Sequence, residues 1–319
     1  MEKSLTSSII RVISSGDCLP SPSPVLIKLL NLASDDSSSY NELSAIIEQD
    51  PSLAVRVMRM ANSVAFSLRE KRAVSSVPQA ILIIGYNRLR ILALSLSLRE
   101  SFPMGKIGRI NYELFWKSSL FRAHAAEGLA RLMPKTMRLI GEEVFTAALI
   151  LEIGLLVLFH LCPKVLQDSF PEDKTQLEDV ISWEEENLGL NHRRIGEMLL
   201  DRWRFPPEII SVQKHFGLDV FEKEALPIGM VVELARTATE SFFVNGDLHV
   251  ISEMVSVLGL KRELVSEVLW SSFSRVEDTA TYLRIDMRSD HDIHAAMETA
   301  NAALAKFLFE KPTEGSHIF

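Results

Sequence analysis

Apolar residues recur along this chain at intervals of three and four, the spacing that gathers them on one face of an α-helix. Val25, Leu26, Leu29 and Leu30 form one such stripe, opened by Ser23 and by Pro24, whose missing N–H costs nothing in a first helical turn. Ser39 with Glu42 three residues on is a capping-box pattern, and Leu43, Ile46 and Ile47 supply the stripe behind it. Asp50-Pro51 repeats the cap-then-proline signal ahead of Leu53, Val57 and Met60. Ser76 and Pro78 open another apolar helix that Gly85 can close, and Asn87 is placed to cap the next, through Leu89, Ile91, Leu92 and Leu94. The expected fold class is all-α.

Breaks in the pattern divide the chain. The helix breakers of Pro103–Gly108 read as a boundary loop, which makes 1–105 an N-terminal helical bundle. Long helices resume at Tyr112, with loops at Pro134, Pro163 to Thr175, Gly189 and Pro206-Pro207, so 106–240 is a second helical domain. Asn245-Gly246 carries a hairpin signal without alternating flanks. Beyond it, Ile251, Met254, Val255, Leu258 and then Leu264, Val265, Val268, Leu269, split by Gly259, outline a C-terminal helical extension over 241–319. Its tail from Lys311 is expected to be disordered.

A net charge of -8 and a pI near 5.6 argue against DNA or an anionic membrane as the partner, because counterion release needs a basic surface. Ala80–Leu98 is interrupted by Arg88 and Arg90, and Ala147–Cys162 by Glu152 and His160, so both read as buried helices and not as spans. Cys18 and Cys162 fit two thiols in a reducing cytosol, and the N-terminus lacks a secretory core, so a cytoplasmic protein is expected. No nucleophile elbow, Walker loop or dinucleotide glycine turn occurs.

Leu19-Pro20, Ile46–Leu53, Met60-Ala61-Asn62-Ser63, Pro78–Ile81 and Gly85 resemble, in order and spacing, the N-terminal half of bacterial HDOD domains. Phe115-Trp116, Phe145–Leu149, Ile153-Gly154, Glu186, Leu188-Gly189, His192, Gly196, Leu199-Leu200, Trp203 and Pro206 resemble the second half. The resemblance implies a multi-helical HDOD architecture, with the N-terminal bundle packed on a domain like that of the HD metal-dependent phosphohydrolases. In those enzymes a His, a His-Asp pair and a distant Asp hold a divalent metal that activates water. Here those places fall on Ser118, Leu151, Glu152 and Arg236, and neither a leucine nor a guanidinium is a ligand. The resemblance thus implies no cofactor, no metal and no catalysis, and a pseudoenzyme acting in signal transduction through other signalling proteins. Two alternatives stand beside it: a sensor of a phosphorylated small ligand such as a nucleotide second messenger, and a phosphohydrolase with a rebuilt site. Glu152 is expected to be neutralised by Arg236 or His192, since a buried unpaired carboxylate is costly.

Other candidates are weaker. Arg56, Arg59, Arg88 and Arg90 could gather near the Asn62-Ser63 turn as an anion pocket. His192 and His215 are further candidates for a ligand or partner surface. Asp290, His291, Asp292 and His294 read as a helix start, His124 and Glu127 as a surface or half-buried polar pair, and His160 as a core or interface histidine.

Overall fold

A computed structural model describes residues 6–7, 9–12, 23–33, 40–62, 74–101, 112–161, 177–221, 225–245, 247–283 and 291–309. Among these residues there is no strand, and the fold is all-α. The first layer runs α1 (Pro24–Ala33), α2 (Tyr40–Glu48), α3 (Pro51–Ala61), α4 (Val77–Ile84) and α5 (Tyr86–Ser101). Three of its caps are those written in the sequence. Ser23 Oγ accepts the Leu26 N–H at 3.0 Å, and Asp50 Oδ1 accepts those of Ser52 and Leu53 at 2.9 and 3.1 Å. Ser76 Oγ accepts the Gln79 N–H at 3.4 Å. Gly85, at φ +90°, turns the chain so sharply that α5 begins at the very next residue. Asn87 therefore lies inside α5 and does not cap it. Asn62 binds the backbone of Val74 from both sides, donating to its carbonyl at 2.8 Å and accepting its N–H at 2.7 Å, which ties the end of α3 to the approach of α4.

The second layer comprises α6 (Tyr112–Ala130), α7 (Gly141–Leu149), α8 (Ile153–Leu161), α9 (Leu177–Leu188), α10 (His192–Arg202), α11 (Pro207–Ser211) and α12 (Pro227–Glu240), which runs into a π turn over Ser241–Asn245. Helix α6 is its axis. Every residue from Ser119 to Leu129 is buried, because α7 and α12 pack on it from different sides. A helix enclosed this way needs no polar face. Helices α8 and α10 cross in backbone contact: a Cβ on Gly154 would lie 1.9 Å from the His192 carbonyl oxygen.

The third layer, α13 (His249–Val257), α14 (Arg262–Leu283) and α15 (His291–Phe309), shares the same core. Helix α14 lies against both α6 and α5, and at Gly128 the contact is so close that a Cβ would meet Val268 Cγ1 at 2.6 Å. Phe121 of α6, Phe242 of the π turn and Phe273 of α14 stack together, with Phe121 and Phe273 centred 4.5 Å apart. The extension also covers His124 and Glu127, expected at or near the surface. Both are buried, His124 Nε2 lying 2.9 Å from Thr279 Oγ1 and Glu127 pairing with Arg131 and Arg275. His160, expected in the core or an interface, is exposed.

Gly141–Leu161 is long and apolar enough to cross a membrane, yet 78% of that window is buried within the protein, where it forms α7 and α8. Cys18, Cys162, Ser39, Ser63, Pro103–Gly108, Asp290 and the tail from Lys311 lie outside the described residues, as do the side chains of Asn87, Arg88, His291 and Asp292.

Candidate functional site

The turn between α7 and α8 sends two consecutive residues opposite ways. Leu151 is buried in the apolar core, whereas Glu152 lines a cavity of about 280 Å³. Ser118 of α6, His192 of α10 and Arg236 of α12 line the same cavity. Three of the four positions that answer to metal ligands thus converge, with His192 beside them. Ser118 turns its hydroxyl to the Phe115 carbonyl at 3.0 Å.

His192 is the first residue of α10, after the Asn191 cap and the Gly189 turn at φ +74°. That reversal brings it back over Glu184 of α9. One Glu184 oxygen accepts both the His192 backbone N–H at 2.8 Å and the ring Nδ1–H at 2.6 Å, so the carboxylate also caps the helix. The other ring nitrogen lies 2.8 Å from Glu152. Burial pushes the imidazole pKa down, but the Glu184 and Glu152 carboxylates outweigh it and raise the ring to about 9. The imidazolium form this favours donates from Nδ1 to Glu184 and sets its other ring nitrogen in ion-pair contact with Glu152.

Glu152 has a second cation, Arg193 at 3.1 Å, itself 3.9 Å from Glu233. Burial raises the Glu152 pKa, but Arg193, His192 and Arg122 together hold it well below the usual carboxylate range. Of the two partners expected for Glu152, His192 is in contact and Arg236 is engaged elsewhere. Arg236 pairs with Glu233 at 2.6 Å and with Glu240, and these carboxylates overcome its burial to raise its pKa. The i, i+3 and i, i+4 spacing along α12 makes those pairs the shorter reach.

Arg122 is a different case. It is 4% exposed, and its Nε donates to the Ala148 carbonyl at 2.7 Å and its Nη2 to Ser119 Oγ at 3.2 Å. Among the described residues no carboxylate lies within salt-bridge distance of it, and burial lowers its pKa to about 10.

Of the arginines expected to gather near Asn62, Arg56 and Arg90 lie apart, and the side chain of Arg88 is outside the described residues. Arg56 pairs with Glu100 near the far end of α5, while Arg90 turns inward to the Leu32 carbonyl at 3.0 Å and to Glu142 at 3.6 Å. Glu100 and Arg90 are ten residues apart on α5, about 15 Å at helical rise, so Arg56 and Arg90 share no pocket. Arg59 is exposed, and Asn62 spends its amide on Val74 and Met58. His215 is half-buried and does not line the cavity. Arg122, Glu184, Arg193, Glu233 and Glu240 were not singled out from the sequence, although the Glu233-Arg236-Glu240 spacing is itself a visible ion-pair pattern.

These residues do not fit a divalent metal. A leucine, a hydroxyl bonded to its own helix and a guanidinium stand where donors are needed, and the lone carboxylate is held by two protein cations. Among the described residues no group of three or more His, Cys, Asp or Glu side chains could hold a metal ion.

Residues 19–216 match the HDOD domain. The uncharacterized protein YuxH of Bacillus subtilis (strain 168) is 30% identical over 118 residues, 36% of this chain and only 28% of YuxH. Among solved structures, a provisionally named signal transduction protein from Marinobacter aquaeolei VT8 superposes with a TM-score of 0.66 at 21% identity, over 84% of this chain and 59% of its own. A provisionally named phosphohydrolase from Shewanella amazonensis SB2B also gives 0.66, at 19% identity over 86% and 97%. An HDOD domain protein with unknown function from Geobacter sulfurreducens gives 0.55, at 20% over 94% and 95%. At such identities the likeness speaks for the fold alone.

Proposed function

The chain belongs to the HDOD domain family, and from that premise we propose a non-catalytic regulatory module of the cytosol that acts by binding, its partner a signalling protein. One observation carries this reading: the single carboxylate left among the metal-ligand positions is already neutralised by His192 and Arg193. Metal-assisted hydrolysis needs an open coordination position and a bound water of lowered pKa. To recruit a cation here, Glu152 would have to leave both partners and expose the ion to Arg122 and Arg236. The core and its cavity persist where the ligands do not, which suits a protein that responds to a partner and converts nothing.

Bis-p-nitrophenyl phosphate incubated with the full chain and Mn²⁺ or Mg²⁺ should be hydrolysed no faster than in buffer. Metal-dependent turnover abolished by Glu152→Gln would overturn the reading and restore the hydrolase alternative. In-cell cross-linking of the full chain should recover one partner reproducibly; a chain recovered only with itself would count against the partner.

A further inference from the structure

The cavity beside Glu152 has an apolar mouth and a polar floor. Phe115, Leu155 and Phe243 are half-buried around its sides, and Val244 stands exposed at 49% on the rim. Ser119, Arg122 and Thr239 form its buried inner end. Resting on the non-catalytic reading, we propose that this cavity binds a small amphipathic monocarboxylate, its head on Arg122 and Ser119 and its apolar part between Phe115, Leu155 and Phe243.

Among the described residues that line the cavity, Arg122 is the cation with no carboxylate in salt-bridge contact; Glu152 and Glu233 act on it only at longer range. Glu152 is met by His192 and Arg193, and Glu233 and Glu240 by Arg236, while Arg122 has only a carbonyl and a hydroxyl. Burial outweighs that longer-range attraction, and an incoming anion supplies the direct contact that the guanidinium lacks. Two donors are ready for it. Among the described residues Arg122 Nη1 donates to no protein group, and Ser119, whose oxygen accepts from Arg122, donates its own hydrogen to none. Two adjacent donors match the two oxygens of one carboxylate.

The surroundings select the rest of the ligand. Glu152 and Glu240 also line the cavity, so every negative charge brought in meets carboxylate repulsion, and the two charges of a phosphate meet more of it than the one charge of a monocarboxylate. A volume of about 280 Å³ is at the small end of ligand sites and suits a compact ligand. Aromatic and aliphatic walls reward a hydrocarbon portion and not a hydrated one.

The test is calorimetric titration of the full chain with sodium hexanoate, octanoate and phenylacetate, with 1-octanol and inorganic phosphate as controls. At least one carboxylate should bind saturably, without binding by octanol or displacement by phosphate. Arg122→Gln should weaken it at least about tenfold, the loss of one charge-assisted hydrogen bond. Leu155→Trp, which keeps Arg122 and fills the mouth, should abolish it, and this variant decides if Arg122→Gln fails to fold by circular dichroism. Absence of binding by all three acids, undiminished binding to Leu155→Trp, or displacement by phosphate would overturn the proposal. Phosphodiester hydrolysis in the assay above would instead refute the non-catalytic reading, so the two failures are told apart.

Discussion

Replacing His192 by glutamine removes the cation shared by two buried carboxylates. The ring is 2% exposed and touches Glu184 and Glu152 at 2.6 and 2.8 Å. Glutamine carries no charge, so Glu184 loses its cation while Glu152 keeps Arg193, and breaking a buried pair this way costs about 3–5 kcal/mol. The pH dependence gives a sharper signature. In the folded protein His192 titrates at about 9, against about 6.5 for an unperturbed imidazole, a rise worth roughly 3 kcal/mol. Because the folded pKa is the higher one, this stabilisation is complete below about pH 6.5 and is lost as pH rises through about 9. Urea unfolding of both proteins between pH 6 and 10 isolates it, since other titrating groups are common to the pair and cancel in the difference. The wild-type advantage should shrink by about 3 kcal/mol across that window. A difference that stays constant from pH 6 to 10 would refute the shared-imidazolium account.

Gly154→Ala should cost about 3 kcal/mol or more, because its Cβ would land 1.9 Å from the His192 backbone and α8 must part from α10; a loss below about 0.5 kcal/mol in urea melts would contradict that crossing. Gly128→Ala should destabilise by about 1–3 kcal/mol through Val268, and Val268→Ala should relieve part of the loss in a double-mutant cycle. Additive losses would mean that α14 is not seated on α6 as described. Asn62→Ala should cost about 2 kcal/mol, one for each hydrogen bond to Val74, and equal thermal stability of variant and wild type would count against that tie.

Features set by neighbouring residues were legible in the sequence. Ser23, Asp50 and Ser76 cap the helices their positions foretold, since a cap involves only the next two or three N–H groups. The convergence of Ser118, Glu152 and Arg236 followed from the family resemblance and could not follow from composition or periodicity. What stayed hidden depends on which elements meet. Glu184 reaches His192 only because Gly189 reverses the chain, and Arg122 looks like any helical arginine until α7 and α12 close over α6. His124 and Glu127 would be a half-exposed pair on α6 alone, and it is α14 that buries them. The gathering of Arg56 with Arg90 failed on length along α5, a distance that residue spacing implies only once the partner Glu100 is known.

The central claim is that protein cations, and not a metal, neutralise Glu152. Elemental analysis of protein purified without chelator and without a metal-binding tag tests it most directly. The account predicts less than about 0.1 divalent ion per chain, whereas a content near one per chain, lost in Glu152→Gln, would contradict it.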